Sequence, residues 1–265
     1  MKWDTQVIIT GSTPELETFR VFLLGGTGGC ADILDLCNAI NLDADRSNGL
    51  ALKSLSTKQI LGHQSDVILK QSVSTRVKVE GILDDRLFKS RVRDIDGIPV
   101  CGGFDDVKKI DSACFFTTAL GHTGNFRQRI SLLKSLGLSE QRFISLIHPS
   151  CSIAASANIG LGCVIHYNSF LGRNTSVNNW TLILPGAVIG HGSRIGVGCI
   201  INSGVNIAGD TFIGDSCYLG AGSLIRDHLT IADGTLVGMG AVVVRSVIKN
   251  STTIYGSPAR LKIPI

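Results

Sequence analysis

The segment IGVGCIINSGVNIAGDTFIGDSCYLGAGSLI, residues 195–225, carries an aliphatic residue at every sixth position. The same spacing runs from Ile147 to Val243 without interruption, and all seventeen positions hold Ile, Leu or Val. A fixed six-residue period is typical of a β-helix in which each hexapeptide forms one side of a triangular prism. Three sides make a coil of eighteen residues, so the segment predicts between five and six coils, about 4.8 Å apart, with no inserted loop.

A second pattern accompanies the first. The residue two positions before each aliphatic residue is small, with Leu229 as the large exception. A narrow prism has room only for small side chains beside the aliphatic stack, because packed cores resist overpacking. Glycine, asparagine or alanine often follows the aliphatic residue, and these tolerate unusual backbone angles. Four cysteines, Cys151, Cys163, Cys199 and Cys217, occupy the small position, so we expect reduced packing thiols in a cytoplasm.

The composition narrows the function classes. The chain has 265 residues, of which 44% are hydrophobic, and a formal net charge of +4. This charge suits anionic small molecules such as nucleotides or coenzyme A, and is too weak to predict nucleic-acid binding. No apolar signal segment follows Lys2 and no apolar run is long enough to cross a bilayer, so we expect a cytoplasmic protein without membrane insertion.

The residues ahead of the repeat predict a small, Rossmann-like α/β domain. FRVFLLGGTGGCADILDLCNAI, residues 19–40, indicates a buried strand, a glycine-rich turn and an amphipathic helix. VKVEGILDDR and ACFFTTALGH indicate two further strands, and TGNFRQRISLLKSLGL, residues 123–138, indicates a helix. The expected organisation is an α/β domain over 1–145 with a polar extension at 1–18 and an insertion at 41–78, a prism over 146–245, and a C-terminal cap at 246–265.

The glycine-rich turn matches a phosphate-binding pattern. Gly26, Gly28 and Ala31 fit GxGxxA between a strand and a helix, where glycine lets the backbone approach a pyrophosphate at the helix N-terminus. A tight turn that binds no ligand is the alternative reading. The next strand ends in Asp84 and Asp85, which are therefore candidates for the same site.

The order of these features resembles one group of enzymes. A glycine-rich strand–turn–helix, a strand ending in Asp-Asp, a GxxxxFR helix start, the sequence LIHPSC and an unbroken six-residue repeat follow one another. This order resembles the bacterial hexapeptide-repeat sugar O- and N-acyltransferases, of the sialic-acid O-acetyltransferase and nucleotide-amino-sugar N-acetyltransferase types, over residues 20–40 and 79–262. The resemblance implies a left-handed parallel β-helix, a homotrimer, a sugar nucleotide held by the N-terminal domain, and acetyl-CoA bound between subunits.

The resemblance also assigns roles within the repeat. The family's base lies two residues after an inward aliphatic residue, which identifies His191 after Ile189, and a glycine one coil later, Gly209, belongs to the acyl-CoA site. Imidazole suits removal of the proton that an amine or hydroxyl loses when it attacks a thioester, and a backbone N–H near Gly209 would stabilise the oxyanion. The acidic residue that follows the base in the family is Gly192 here. We hypothesise that Asp210, one coil above Gly192, replaces it.

The other expected contacts follow from the same resemblance. The coenzyme is expected at Gly209, Ala221, Gly222, Met239, Gly240 and Arg245. The sugar nucleotide is expected at Gly26, Thr27, Gly28, Gly29, Asp84, Asp85 and Arg86. Three histidines of the repeat are expected to have no catalytic role: His148 in the turn that begins the prism, His166 at an exposed corner, and His228 facing solvent.

Two other functions remain open on the sequence. If Gly192, in place of the usual acid, makes the site inactive, the protein would be a non-catalytic sugar-nucleotide sensor or scaffold. Trimeric left-handed β-helices also include the γ-class carbonic anhydrases, but His166, His191 and His228 are 25 and 37 residues apart, which matches no shared coil, so no metal is expected. The sequence favours an acetyl-CoA-dependent acyltransferase acting on an amine or hydroxyl of a nucleotide-linked amino sugar, with free sialic acid as another acceptor.

Overall fold

The six-residue period forms a triangular prism of parallel strands in the computed structural model, which describes residues 18–26, 29–47 and 76–261. Seventeen consecutive two-residue strands run from Leu146–Ile147 to Val242–Val243. Each of the first fourteen pairs in parallel with the strand eighteen residues later, as Val188–Ile189 pairs with Asn206–Ile207. The predicted coil length and the absence of inserted loops are therefore confirmed.

The strands are distributed over three faces. The first face contains β6 Leu146–Ile147, β9 Val164–Ile165, β12 Leu182–Ile183, β15 Ile200–Ile201, β18 Tyr218–Leu219, β21 Leu236–Val237, β23 Thr253–Tyr255 and β24 Arg260–Leu261. The second face contains β7 Ser152–Ile153, β10 Phe170–Leu171, β13 Val188–Ile189, β16 Asn206–Ile207, β19 Leu224–Ile225 and β22 Val242–Val243. The third face contains β8 Asn158–Ile159, β11 Ser176–Val177, β14 Arg194–Ile195, β17 Phe212–Ile213 and β20 Thr230–Ile231.

The small inward residues have a hydrogen-bonding role as well as a packing role. Thr181 Oγ1 donates to the carbonyl of Gly196 at 2.9 Å, and Cys199 Sγ donates to the carbonyl of Gly214 at 3.0 Å. Both contacts join one coil to the next. Burial raises the pKa of the Cys199 thiol well above its ordinary value, and all eight cysteines are free. The inward cysteines are therefore packing thiols, as expected.

Fourteen consecutive corners of the prism contain one residue with a left-handed backbone. This residue lies three positions after the inward aliphatic residue, and its φ is between 50° and 69° from Gly162 to Gly240. Glycine, asparagine and aspartate tolerate this region best. The sequence predicts the unusual angle directly after the aliphatic residue, but glycine at that position is explained by close packing. A Cβ on Gly190, for example, would lie 2.6 Å from the nitrogen of Gly209.

The unit that precedes the prism consists of β1 Thr18–Leu24, α1 Cys30–Ser47, β2 Arg76–Leu83, α2 Asp85–Lys89, β3 Asp94–Ile95, β4 Ile98–Gly102, a 3-10 helix Phe104–Lys109, β5 Phe115–Thr118, α3 Arg129–Ser135 and a 3-10 helix Glu140–Arg142. Its five strands form one sheet with the order β3-β4-β2-β1-β5, in which only β3 is antiparallel to its neighbour. The predicted strand–turn–helix and the parallel pairing are confirmed. No helix in the described ranges is long and apolar enough to span a membrane.

The expected insertion at 41–78 has regular elements at both of its ends. Helix α1 continues to Ser47 and β2 begins at Arg76. The residues between them lie outside the described part of the chain, as does the expected extension apart from Thr18. The expected cap, 246–265, contributes β23 and β24 to the first face.

The helix expected over 123–138 is shorter than predicted. It is α3, Arg129–Ser135. The residues before it form a turn because Asn125 Oδ1 accepts a hydrogen bond from the His122 N–H at 3.0 Å, and His122 Nδ1 accepts one from the Gly124 N–H at 3.0 Å. These side-chain contacts replace the first helical turn that the apolar spacing predicted.

The predicted exposure of His166 is wrong. Its side chain is only 4% exposed, because α1 packs against the first coils and brings Asp32 close to the imidazole. Burial lowers the pKa of His166, which favours the neutral form of the ring. Burial also lowers the pKa of His148, one coil below. His228 is exposed, as expected.

The N-terminal unit covers the first face of the prism. The outward side chains of Val164, Leu182 and Ile200 are at most 9% exposed and belong to the same apolar cluster as the residues of β1 and α1. The buried guanidinium of Arg129 donates to the carbonyl of Trp180 in the prism. The N-terminal unit covers the first face, and the second and third faces can contact other molecules.

Candidate functional site

His191 lies at the corner where the second face turns into the third. Its side chain is 71% exposed. The imidazole lies over the α-carbon of Gly209, one coil above, since a Cβ built on Gly209 would be 2.6 Å from Cε1 and 2.7 Å from Nε2. Any side chain at position 209 would displace the ring. The structure therefore contains the predicted alignment of an imidazole and a bare α-carbon.

Asp210 approaches the opposite edge of the imidazole. Its Oδ2 is 3.7 Å from His191 Nδ1, and its Oδ1 would be 2.0 Å from a Cβ on Gly192. The Asp210 carboxylate thus occupies the space in which a side chain at position 192 would begin. A separation of 3.7 Å is an electrostatic contact that becomes a hydrogen bond only if it tightens, as contacts of a general base often do when ligands bind.

The backbone N–H of Gly209 has no acceptor among the described residues. At the corner between the third and first faces, three of the equivalent N–H groups are satisfied, those of Leu161, Val197 and Asp215. The N–H of Leu161 donates to Asn179 Oδ1 at 2.9 Å, and the N–H of Val197 donates to Asp215 Oδ1 at 2.7 Å. Both acceptors lie one coil above the donor. An N–H at this position points along the prism, and that of Gly209 is open to an external oxygen.

A shallow cavity of about 300 Å³ adjoins His191 on the side of Asp210. Its lining residues are Gly192, Arg194, Asp210, Thr211 and Phe212. The guanidinium of Arg194 forms no ion pair in the described part of the chain, and Phe212 is 48% exposed. Because Asp210 takes the Nδ1 side of the imidazole, the Nε2 side is the one open to a reacting group.

The expected coenzyme residues divide between two corners of the prism. Gly209 and Arg245 share the column of His191, since each lies two residues after an inward residue of the second face. The other expected residues lie at the corner between the first and second faces: Ala221, Gly222, Met239 and Gly240. Met239 is 79% exposed. The whole second face separates the two sets, so one chain alone does not bring them together.

Asp84 is engaged by the chain itself. Its Oδ2 accepts a hydrogen bond from the Gly26 N–H at 2.9 Å, and its Oδ1 caps α2 by accepting one from the Leu87 N–H at 2.8 Å. The residue is 7% exposed. A Cβ on Gly26 would lie 2.1 Å from Leu87 Cδ1, so a side chain there would have to displace the end of the Leu87 side chain. The carboxylate fixes the start of the glycine-rich turn.

The other expected sugar-nucleotide residues lie around the carboxyl ends of β1 and β2. Asp85 accepts a hydrogen bond of 2.8 Å from a backbone N–H of the first 3-10 helix, Arg86 is exposed, and Gly29 directly precedes α1. Thr27 and Gly28 lie outside the described residues. Strands β2 and β5 flank β1 on opposite sides, so this edge is a topological switch point, where open α/β sheets bind ligands.

Two groups near these sites were not assigned from the sequence. His122 lies at the carboxyl end of β5, is exposed, and retains Nε2 for a ligand because Nδ1 accepts the Gly124 N–H. Asp227 lies one coil above Gly209 and contacts Arg226 and His228. Two features of the sequence could have identified these residues: the strand end before His122 and the eighteen-residue offset between Gly209 and Asp227. No group of three or more His, Cys, Asp or Glu side chains in the described ranges is arranged to hold a metal.

Several solved structures are similar to the chain over nearly its whole length. The acetyltransferase domain of PglB from Neisseria gonorrhoeae FA1090, also solved with acetyl coenzyme A, is 22% identical with a TM-score of 0.70, over 92% of this chain and 99% of that one. A mutant of perosamine N-acetyltransferase from Caulobacter crescentus, in complex with CoA and GDP-perosamine, is 21% identical with a TM-score of 0.64, over 98% and 100% of the two chains. WeeI from Acinetobacter baumannii AYE is 21% identical with a TM-score of 0.50, over 92% and 100%.

No family model matches the sequence, and no curated protein sequence matches it. The similarity to the solved structures concerns the fold. The six-residue period predicts a parallel β-helix, the family resemblance implies its left hand, and the residues ahead of the repeat predict a small α/β unit. This architecture is confirmed.

Proposed function

We propose that this protein transfers the acetyl group of acetyl-CoA to an amine or hydroxyl of a sugar, with a nucleotide-linked amino sugar as the expected acceptor. The observation that most supports this proposal is the position of the His191 imidazole over the α-carbon of Gly209. The backbone N–H of Gly209 has no acceptor among the described residues. Solved structures of the same fold were obtained with acetyl coenzyme A and with CoA and GDP-perosamine, which supports this donor and this acceptor class.

Direct transfer requires a base and an oxyanion donor on either side of the thioester. The acceptor nitrogen or oxygen attacks the thioester carbonyl carbon, and Nε2 of His191 takes the proton that it loses. The Gly209 N–H donates to the carbonyl oxygen as negative charge develops there. When the C–S bond breaks, the proton on the imidazole passes to the leaving thiolate. No acyl-enzyme intermediate is required.

Asp210 orients the imidazole from the neighbouring coil. A carboxylate at Nδ1 favours the tautomer that has its proton on Nδ1 and its lone pair on Nε2, and it stabilises the imidazolium that forms. The glycine at position 192 accommodates this carboxylate. Gly192 is then compatible with an active site, which argues against the scaffold alternative.

The acceptor's nucleotide is expected at the carboxyl edge of the sheet. The glycine-rich turn held by Asp84 leads into the N-terminus of α1, a geometry that suits a pyrophosphate. Arg86 and the Nε2 atom of His122 are exposed polar groups at the same edge. These residues are the proposed contacts of the nucleotide.

We propose a homotrimer as the active unit. The second face presents apolar outward side chains, including Phe170 at 43% and Leu224 at 46% exposure, with Val188 and Val242 in the same sheet. An uncovered apolar face of this kind marks an interface. Packing it against a copy would bring the corner that carries Met239 against the neighbour's His191 corner. The two sets of coenzyme residues would then share one cleft.

The proposed reaction predicts thiol release from acetyl-CoA in the presence of a suitable acceptor. UDP-, GDP- and dTDP-linked 4-amino sugars and free sialic acid form the panel, and released CoA is measured with a thiol reagent. His191→Asn should lower kcat about a hundredfold or more, since no base remains, while calorimetric binding of acetyl-CoA is retained. His148→Asn is the matched control and should keep its activity. Sugar-nucleotide binding without thiol release would favour the scaffold alternative.

If Asp210 orients the imidazole, a carboxylate at position 192 should be able to replace the one at position 210. Asp210→Asn should lower kcat about tenfold and leave acetyl-CoA binding unchanged, because the imidazole loses its orienting charge. Gly192→Asp alone should also impair turnover, since its Cβ meets the Asp210 carboxylate. Gly192→Asp with Asp210→Gly should recover part of the activity, a non-additive result that reports coupling. Unchanged turnover in Asp210→Asn would rule out the role.

The trimer predicts that a charge on the second face disrupts assembly and activity together. Leu224→Glu should convert the protein to a monomer in light scattering coupled to size exclusion, because the carboxylate would be buried at the interface. The monomer should have little acetyl transfer, since its coenzyme residues are separated. Ser176→Glu, on the third face, is the control and should remain trimeric. A monomeric wild-type protein with full activity contradicts this proposal.

A further inference from the structure

Glycine on one coil of the prism makes room for a capping side chain on the next coil. In three places an N–H two residues after an inward aliphatic residue donates to the side chain eighteen positions later, at distances between 2.7 and 2.9 Å: Leu161 to Asn179, Val197 to Asp215, and Asp215 to Asp233. The residue directly before each donor is a glycine: Gly160, Gly196 and Gly214. A Cβ on these glycines would lie only 2.3 to 2.5 Å from the capping oxygen. The capping oxygen therefore fills the space that the absent side chain leaves.

Asp227 is the exception to this arrangement. Four residues at this register position of the prism are Asp or Asn, and the other three are the caps. Asp227 lies eighteen positions after Gly209, whose N–H has no acceptor in the described chain. Its backbone is placed as at the capped sites, since the His228 N–H donates to the Gly209 carbonyl at 3.1 Å and the N–H after each cap makes the equivalent contact. The difference is the residue directly before the donor, which is Ala208.

We propose that the methyl group of Ala208 prevents Asp227 from capping Gly209, which makes Ala208 a positioning residue for acetyl transfer. This rests on the proposed function, in which the Gly209 N–H receives the thioester oxygen. An Asp227 oxygen in the capping position would meet the Ala208 Cβ at the distances found for a Cβ on the three glycines, well inside van der Waals contact. A capped N–H is lost to the reaction, and the capping carboxylate would place a negative charge beside the developing oxyanion.

The methyl group excludes the chain's own carboxylate but leaves room for a substrate oxygen. A thioester approaches the corner from solvent and is not tethered to the coil above. Moving the acceptor about 1 Å outward, at about 3 Å from the nitrogen, turns the hydrogen bond by roughly 20°, which N–H donors tolerate. The Asp227 carboxylate lies 3.8 Å from Arg226 Nε and 3.7 Å from His228 Nε2 instead. These exposed contacts are weak, so they would not hold the carboxylate aside once the methyl group is removed.

The first test compares the rates of three variants of the full-length protein. Ala208→Gly should lower kcat about twofold to tenfold, the range of one net hydrogen bond, because Asp227 can then cap the donor. Asp227→Ala alone should keep the wild-type kcat. The double variant should also keep it, because it has the same added backbone freedom at position 208 but no capping carboxylate. A double variant as slow as Ala208→Gly would overturn the proposal.

A crystal structure of Ala208→Gly is a readout that does not depend on turnover. An Asp227 oxygen about 2.9 Å from the Gly209 nitrogen is the expected result. A carboxylate that still lies beside Arg226 and His228 would overturn the proposal even if the rate had fallen, and so would a capped variant that keeps the wild-type kcat. A wild-type protein that transfers no acetyl group would instead refute the proposed function, and the structure of Ala208→Gly would still decide the contact.

Discussion

The backbone hydrogen bonds between successive coils determine the position of every other group in the prism. The N–H of Asp210 donates to the carbonyl of His191 at 2.7 Å, and the N–H of Gly190 donates to the carbonyl of Ile207 at 2.7 Å. A shift of one residue would turn the aliphatic residues outward, since side chains alternate along a strand. The stacking of His191 on Gly209 therefore follows from the backbone register. It does not depend on a side-chain contact, which would be weak at such an exposed corner.

The functional groups of the prism lie at its corners. Asp210 and His228 adopt left-handed backbone angles that their corner position imposes on every residue there. The strain is shared with a long series of equivalent corners, several of them glycine, and the fold as a whole supports it. The same corners expose N–H groups that point along the prism. Reactive side chains and free donors are thus placed at distances that the backbone register sets.

The fold and the alignment of His191, Gly209 and Asp210 were predictable because they depend on local register alone. The burial of His166 was not, because it results from α1 packing against the first coils, a contact between distant parts of the chain. Asp84 was expected to face a ligand, whereas its hydrogen bonds to Gly26 and Leu87 depend on how three elements meet. The turn at His122 replaced a predicted helical start because side-chain acceptors competed with the helix.

The central claim is that an acyl thioester lies across the corner formed by His191 and Gly209. A crystal structure of the protein with acetyl-CoA measures this directly. The account predicts the thioester oxygen within hydrogen-bonding distance of the Gly209 nitrogen, His191 Nε2 facing the carbonyl carbon, and the pantetheine arm along Ala221 and Met239 of a neighbouring copy. A coenzyme bound away from this corner, or contained within a single chain, would contradict it.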